Sequence, residues 1–148
     1  MKRSPLGQPP LDGREFRKLM DGRLKEASWQ KQVEQALDLY RWWWMHIPPN
    51  VVVCPKCQTR IYRSIRKGFP DILAIKPPHI LWIECKTERG HVEPEQHQVK
   101  AMLEASGQLV LHVRPRDRAE LFKLIAHSEL KADEWRARAP HPRASVKV

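Results

Sequence analysis

A chain of 148 residues with 27 Lys and Arg against 17 Asp and Glu carries a formal charge of +10, which suits one domain and points toward polyanionic partners, nucleic acid first. No apolar run approaches the ~20 residues needed to span a bilayer and the N-terminus lacks the apolar centre of a signal peptide, so the expectation is a cytoplasmic protein without a membrane partner. Three cysteines, two of them in the stretch CPKC, argue against a disulfide framework and for a reducing compartment.

Residues 1–24 read as a basic, partly disordered arm, proline- and glycine-rich up to about Gly13, with a short helix over Arg14 to Leu24. From Lys25 to Arg41 the residues Trp29, Val33, Ala36, Leu37 and Tyr40 recur at helical spacing, which predicts a helix with one core-facing stripe. The run Trp42 to Ile47 is aromatic and aliphatic and stops at Pro48-Pro49, as a strand would; its tryptophans suit core packing better than base stacking. Residues 48–67 read as an irregular basic insertion holding CPKC. Two apolar strands follow in GFPDILAIKPPHILWIECKT, joined at Pro77-Pro78. Pro94 opens a helix that Gly107 closes near Ser106, and Gln108 to Arg114 alternates like a strand. Asp117 with Glu120 predicts a capping box for a last helix to about Leu130, and residues 131–148 read as a basic tail. The order α-β-β-β-α-β-α predicts an α/β fold, a mixed central β-sheet flanked by helices.

The charges in the GFPD to ECKT hairpin need a reason, because carboxylates are depleted from strands and a half-buried charge is costly unless paired or bound to a metal. A turn centred on the Pro77–Pro78 bond opposes Ile75 to Ile80, Leu73 to Trp82 and Asp71 to Glu84. Opposed residues on one face have Cβ atoms about 4.5–5.5 Å apart, so two carboxylates there repel unless a cation lies between them. Lys86 shares their face by alternation, and Cys85 points the other way. A surface salt bridge of Lys86 with either acid is the plain alternative.

GFPD, a variable stretch and then E-x-K resembles the core of the PD-(D/E)xK nuclease superfamily, whose core is restriction-endonuclease-like. The continuation ECKTERG, then EPEQ, then an apolar strand ending in Arg114-Pro115, resembles the VRR-Nuc group of phage and bacterial nucleases, related to Holliday-junction resolvases. The resemblance covers about Lys25 to Ile125, within a nuclease-like domain of residues 25–130. It implies a divalent-metal-dependent endodeoxyribonuclease using Mg²⁺ or Mn²⁺, with no organic cofactor. It also implies a branched DNA substrate such as a four-way junction, 5′-phosphate and 3′-hydroxyl products, a homodimer, and host cytoplasm if the chain is phage-encoded. By position, Asp71 and Glu84 match the metal-binding carboxylates, the main-chain carbonyl of Cys85 adds a ligand, and Lys86 matches the lysine beside the attacking water. Gln96 matches a glutamine supporting that lysine or the scissile phosphate. A further acid is expected on the first helix. Glu26 falls within about 35° of the Trp29/Val33/Leu37 stripe and Glu34 more than about 100° away, which favours Glu26.

Cys54 and Cys57 form half of a zinc site or a plain reduced turn; His46, His79 or a second subunit can complete the ligand set. Arg60, Arg63, Arg66 and Lys67 precede the carboxylates as phosphate contacts or as solvated loop charge, and His46 can reach a phosphate or pack at a strand end. Flap, nick or duplex cleavage, or a binding module without catalysis, are the competing functions.

Overall fold

The computed structural model describes residues 12–48, 51–62 and 66–140. In chain order these form α1 (Gly13–Arg23), α2 (Glu26–Leu39), β1 (Trp43–His46), β2 (Val51–Val53), β3 (Arg60–Tyr62), β4 (Ile72–Lys76) and β5 (His79–Cys85). Then come α3 (Pro94–Ala105), β6 (Leu109–Val113), a 3-10 turn (Pro115–Asp117), α4 (Arg118–Ala126) and α5 (Ala132–Ala137). Four strands make the main sheet in the order β1-β4-β5-β6. Its β1–β4 and β4–β5 pairs are antiparallel and its β5–β6 pair is parallel. A parallel neighbour needs a crossover, and α3 supplies it. The protein is a mixed α/β fold with a mixed sheet and flanking helices.

The sheet has two differently covered faces. Leu81, Ile83 and Cys85 alternate along β5 and cluster with Ile72 and Ala74 of β4 and with Leu111 and Val113 of β6. Onto this face pack Trp29, Val33 and Leu37 of α2 and Leu121, Leu124 and Ile125 of α4. The helical stripe read from the sequence is therefore the buried stripe except for Tyr40, which is exposed at the C-cap of α2, and each large buried side chain stabilises the fold by roughly 1.5–3 kcal/mol. Two fully buried indoles have their N–H groups satisfied: Trp29 donates to the Val113 carbonyl at 3.1 Å and Trp42 to that of Ile125 at 3.1 Å. The opposite face of β5 and β6 meets α3, whose Lys100 ammonium donates to the Val110 carbonyl at 2.7 Å and whose His97 meets the ring of His112.

Several expectations change on folding. Val51 to Val53 and Arg60 to Tyr62 are not irregular but pair as a two-stranded antiparallel hairpin around CPKC, because backbone groups in a short β-prone run find partners across the turn. Of the tryptophan run only Trp42 is fully buried; Trp43 is exposed. Asp117 makes no cap bond to α4; its carboxylate instead accepts the Arg114 N–H at 2.9 Å, closing the 3-10 turn. That helix ends at Ala126 rather than near Leu130. α5 brings Trp135 into the core, with its indole N–H on the Leu124 carbonyl at 2.7 Å, so the packed unit runs past residue 130. The arm reading of residues 1–11 and the tail reading of residues 141–148 lie outside the described residues, as does Arg63.

Candidate active site

The β4–β5 ladder sets Ile72 opposite Ile83, Leu73 opposite Trp82 and Ile75 opposite Ile80, the register that a turn centred on the Pro77–Pro78 bond demands. Asp71 and Glu84 stand one step beyond the last pair, where the strands hand over to side-chain bonding: the Cys85 N–H donates to Asp71 Oδ2 at 3.1 Å. On the other flank the Asp71 carbonyl accepts the Ile47 N–H at 2.8 Å, so the residue is pinned from both neighbouring strands. Gly68, which opens this approach, has φ +102°, and a Cβ there would lie 2.5 Å from the Glu95 carbonyl oxygen; only glycine fits where the loop crosses the start of α3.

Glu84 is 2% exposed, unusual for a carboxylate. One of its oxygens, Oε1, accepts from Lys86 Nζ at 2.8 Å and from the Gln96 side-chain amide. The other, Oε2, is buried with no hydrogen-bond partner. Gln96 is held for this contact by its own backbone environment, since its Oε1 accepts the Glu93 N–H at 2.9 Å at the start of α3. It therefore supports the carboxylate Glu84 rather than Lys86, because the strand alternation that buries Glu84 aims it at the first turn of α3.

Burial pushes the Asp71 carboxyl above the ordinary carboxylate range, opposed by the Cys85 N–H and by the charges of Lys86 and His46. Glu84 is raised for the same first reason, and repulsion from Asp71 adds to it against the Lys86 hydrogen bond. Burial pulls on Lys86 in the downward sense, yet the Glu84 hydrogen bond and the charges of Glu84, Glu26 and Asp71 outweigh it and raise the ammonium. The result is two desolvated acids and one firmly protonated amine. The Lys86–Glu84 pair joins a half-buried ammonium to a buried carboxylate, so it is not the fully exposed salt bridge that was the plain alternative.

Both helix acids face this end of the sheet, since Glu26 and Glu34 each act on the buried Cys85 thiol, which burial pushes far up. Glu26, in the first turn of α2, is exposed and acts on Lys86 by charge. Glu34 is half-buried and its Oε1 lies 3.0 Å from His46 Nε2, while Gln30 approaches His46 Nδ1 at 3.0 Å. His46 is thus clasped by α2 and contributes its field to Asp71. Two neighbours went unread in the sequence. Gln30 lies between Glu26 and Glu34 on the same side of α2, and His112 sits directly across from Glu84 on β6. The alternation of VLHVR was the available signal for His112, but the register against β5 was not. Burial, then the charges of Lys100, His97 and Lys86, lowers His112 to about 4.

The remaining candidates lie elsewhere. Cys54 and Cys57 sit at the tip of the β2–β3 hairpin, where Gln58 adopts φ 60° and Cys57 Sγ lies 3.1 Å from Thr59 Oγ1. Hydrogen bonds from the Thr59 side chain, then its backbone, then Cys54 bring Cys57 down to about 7. Arg60 is on β3 and exposed, Arg66 is exposed, and Lys67 pairs with Glu95 at 3.2 Å. Among the described residues, no group of three or more His, Cys, Asp or Glu side chains converges in a way that could hold a metal ion. No helix among them is long and apolar enough to cross a membrane. No protein-family model, no curated protein and no solved structure matches this chain.

Proposed function

We propose that this protein is a metal-dependent nuclease that hydrolyses phosphodiester bonds in DNA. The observation that carries the reading is the Asp71/Glu84/Lys86 constellation, and in it the buried Glu84 Oε2 without a partner. An unsatisfied carboxylate oxygen beside a second desolvated acid is costly for the fold, and a divalent cation is the hard partner that would relieve it. Asp71 and Glu84 would hold Mg²⁺ or Mn²⁺, with the Cys85 carbonyl as a further oxygen donor; Glu26, expected as an additional ligand, is exposed and acts on the site by charge instead. When bound, such an ion supplies charge neutralisation at the scissile phosphate and a more acidic water.

The side chains divide the remaining work. Lys86 stays an ammonium because carboxylate charge raises it, so it serves as a hydrogen-bond donor to a water or phosphate oxygen, not as a base. Gln96 anchors Glu84 and leaves Oε2 free. The chain-order subset α2-β1-β4-β5-α3-β6-α4 follows the α-β-β-β-α-β-α plan of restriction-endonuclease-like cores, and the GFPD, E-x-K and EPEQ motifs resemble those of the VRR-Nuc group. Both support the nuclease reading. Within it we favour branched DNA, a four-way junction first, cut by a homodimer whose two sites face opposed strands, over flap, nick or plain duplex.

A second reading, a nucleic-acid-binding module without catalysis, is favoured by the lack of a cluster of three or more metal-ligating side chains among the described residues. Asp71→Ala separates the two. With labelled junction, flap and linear DNA in Mg²⁺, the parent cleaves, and the variant loses at least about 100-fold in rate, the scale on which one charge-stabilising group acts, while binding DNA normally. A parent that leaves every DNA intact in Mg²⁺ and in Mn²⁺ sinks the nuclease reading. Equal cutting of linear duplex sinks the junction preference.

A further inference from the structure

A second feature involves the end of the ECKTERG stretch, Glu88 and Arg89, together with α1. A cavity of about 580 Å³ opens between α1 and the loop that follows Lys86. Five cations line it: Arg14, Arg17 and Lys18 from α1, Arg89 from the loop and Arg116 from the 3-10 turn. Two carboxylates share the wall, and both are engaged. Glu88 accepts the Arg116 N–H at 2.6 Å and lies 3.6 Å from its guanidinium, and Asp21 pairs with Arg118 of α4 at 3.0 Å. Arg14, Arg17, Lys18 and Arg89 have no carboxylate partner among the described residues, and all four are exposed.

Four cations without carboxylate partners around one concavity repel one another, and the two acids in the wall are taken up by Arg116 and Arg118. α1 has no buried residue to hold it for packing alone; the Asp21–Arg118 bridge ties it to α4 and its contact with the 3-10 turn sets its place over the loop. The loop itself is shaped by the Arg114 guanidinium donating to the Thr87 carbonyl and by the Gly90 N–H on the same carbonyl at 3.2 Å. Glu88 is two residues from Lys86, so the Cα atoms of the two lie no more than about 7 Å apart.

We infer that this cavity is a binding site for the phosphate backbone of a nucleic-acid strand, with Arg14, Arg17, Lys18 and Arg89 as its contacts and α1 as the element that presents them. Arginine matches phosphate bidentately, and a backbone-tracking basic groove beside a cleavage site needs no base readout. The choice of a nucleic-acid strand over another polyanion rests on the nuclease reading of Asp71, Glu84 and Lys86. The sequence placed phosphate contacts at Arg60, Arg63, Arg66 and Lys67 instead, and treated residues 1–24 as an arm.

The test is binding, not cleavage. The full chain and its R14A/R17A/K18A variant are titrated against fluorescently labelled single-stranded and duplex DNA in EDTA, across a range of salt. The charge-matched control is K31A/K56A/K123A, which removes three exposed lysines from other surfaces. Loss of three phosphate contacts lowers the salt slope on duplex by roughly two to three and weakens binding at least tenfold at low salt, whereas the control stays within about twofold. Equal loss in both variants, or an unchanged salt slope in R14A/R17A/K18A, overturns the assignment. So does inorganic phosphate or a mononucleotide binding the parent more tightly than the oligonucleotide does. Because the titration contains no metal it is independent of cleavage: a chain that binds DNA through α1 here but leaves every DNA intact when Mg²⁺ or Mn²⁺ is supplied overturns the nuclease and leaves this site standing.

Discussion

Among the described residues two antiparallel hairpins stand out, β4–β5, which the local pattern predicts, and β2–β3, which it does not. β4–β5 turns at Pro77-Pro78 and β2–β3 turns at CPKC; both are short, rich in branched aliphatic residues, and carry reactive side chains at one end. Their fates differ because of what covers them. β4–β5 is the middle of a four-stranded sheet, with β1 on one edge, β6 on the other, α2 and α4 beneath and α3 above, so Glu84 and Cys85 lose their water and Asp71 is half-buried. β2–β3 forms a sheet of its own, with Val53 and Ile61 exposed and Cys57 in solvent. A hairpin organises the backbone; the layers around it organise the chemistry.

The largest expected contrast is in stability. Leu81→Ala, in the buried face of β5, should cost about 2–5 kcal/mol, while Ile61→Ala on β3 should stay within about 0.5 kcal/mol. Urea denaturation of the two variants measures this, and similar losses would mean that β2–β3 is packed as tightly as β5.

A smaller effect is expected with pH. His112 titrates near 4 in the folded chain against 6.5 ordinarily, so it contributes stability that is whole above pH 6.5 and is lost as pH falls toward 4. Asp71 and Glu84, raised by burial, act in the opposite sense: their contribution is present at low pH and lost as pH rises through their folded values. His112→Gln removes only the first contribution. Its Tm should fall less than that of the parent between pH 6.5 and 4, and parallel Tm profiles would show that His112 is not desolvated beside the acids.

The smallest change to the protein is a chemical one. Cys57 should alkylate with iodoacetamide with a midpoint near pH 7, whereas Cys85, buried and pushed far up, should stay unmodified until the chain unfolds. Peptide mass spectrometry resolves the two. Labelling of Cys85 in the native protein would mean that the end of β5 opens to solvent and that the two hairpins differ less than their environments suggest.

How far the sequence could be read depends on the range of the signal. The α2 stripe, the β4–β5 register and the α3 boundaries were legible because each is set within a few residues: helical spacing at Trp29, Val33 and Leu37, period two on either side of Pro77-Pro78, and proline and glycine at the ends of α3. The β2–β3 pairing was missed because three-residue strands carry too short a period to separate from a loop. The capping box at Asp117 failed because the carboxylate found the nearer Arg114 N–H.

Sequence by itself determined the elements of the main sheet and its helices α2 and α3, and which acids, Asp71 and Glu84, stand opposed, since helical spacing, strand alternation and a two-residue turn are local geometry. Only the tertiary structure decided that Glu84 is buried against Gln96 and His112, that His46 is held by Glu34, and that α1 brings its arginines to the loop beyond Lys86. Desolvation and charge pairing act through space, between residues that the chain separates by tens of positions. No local pattern encodes them.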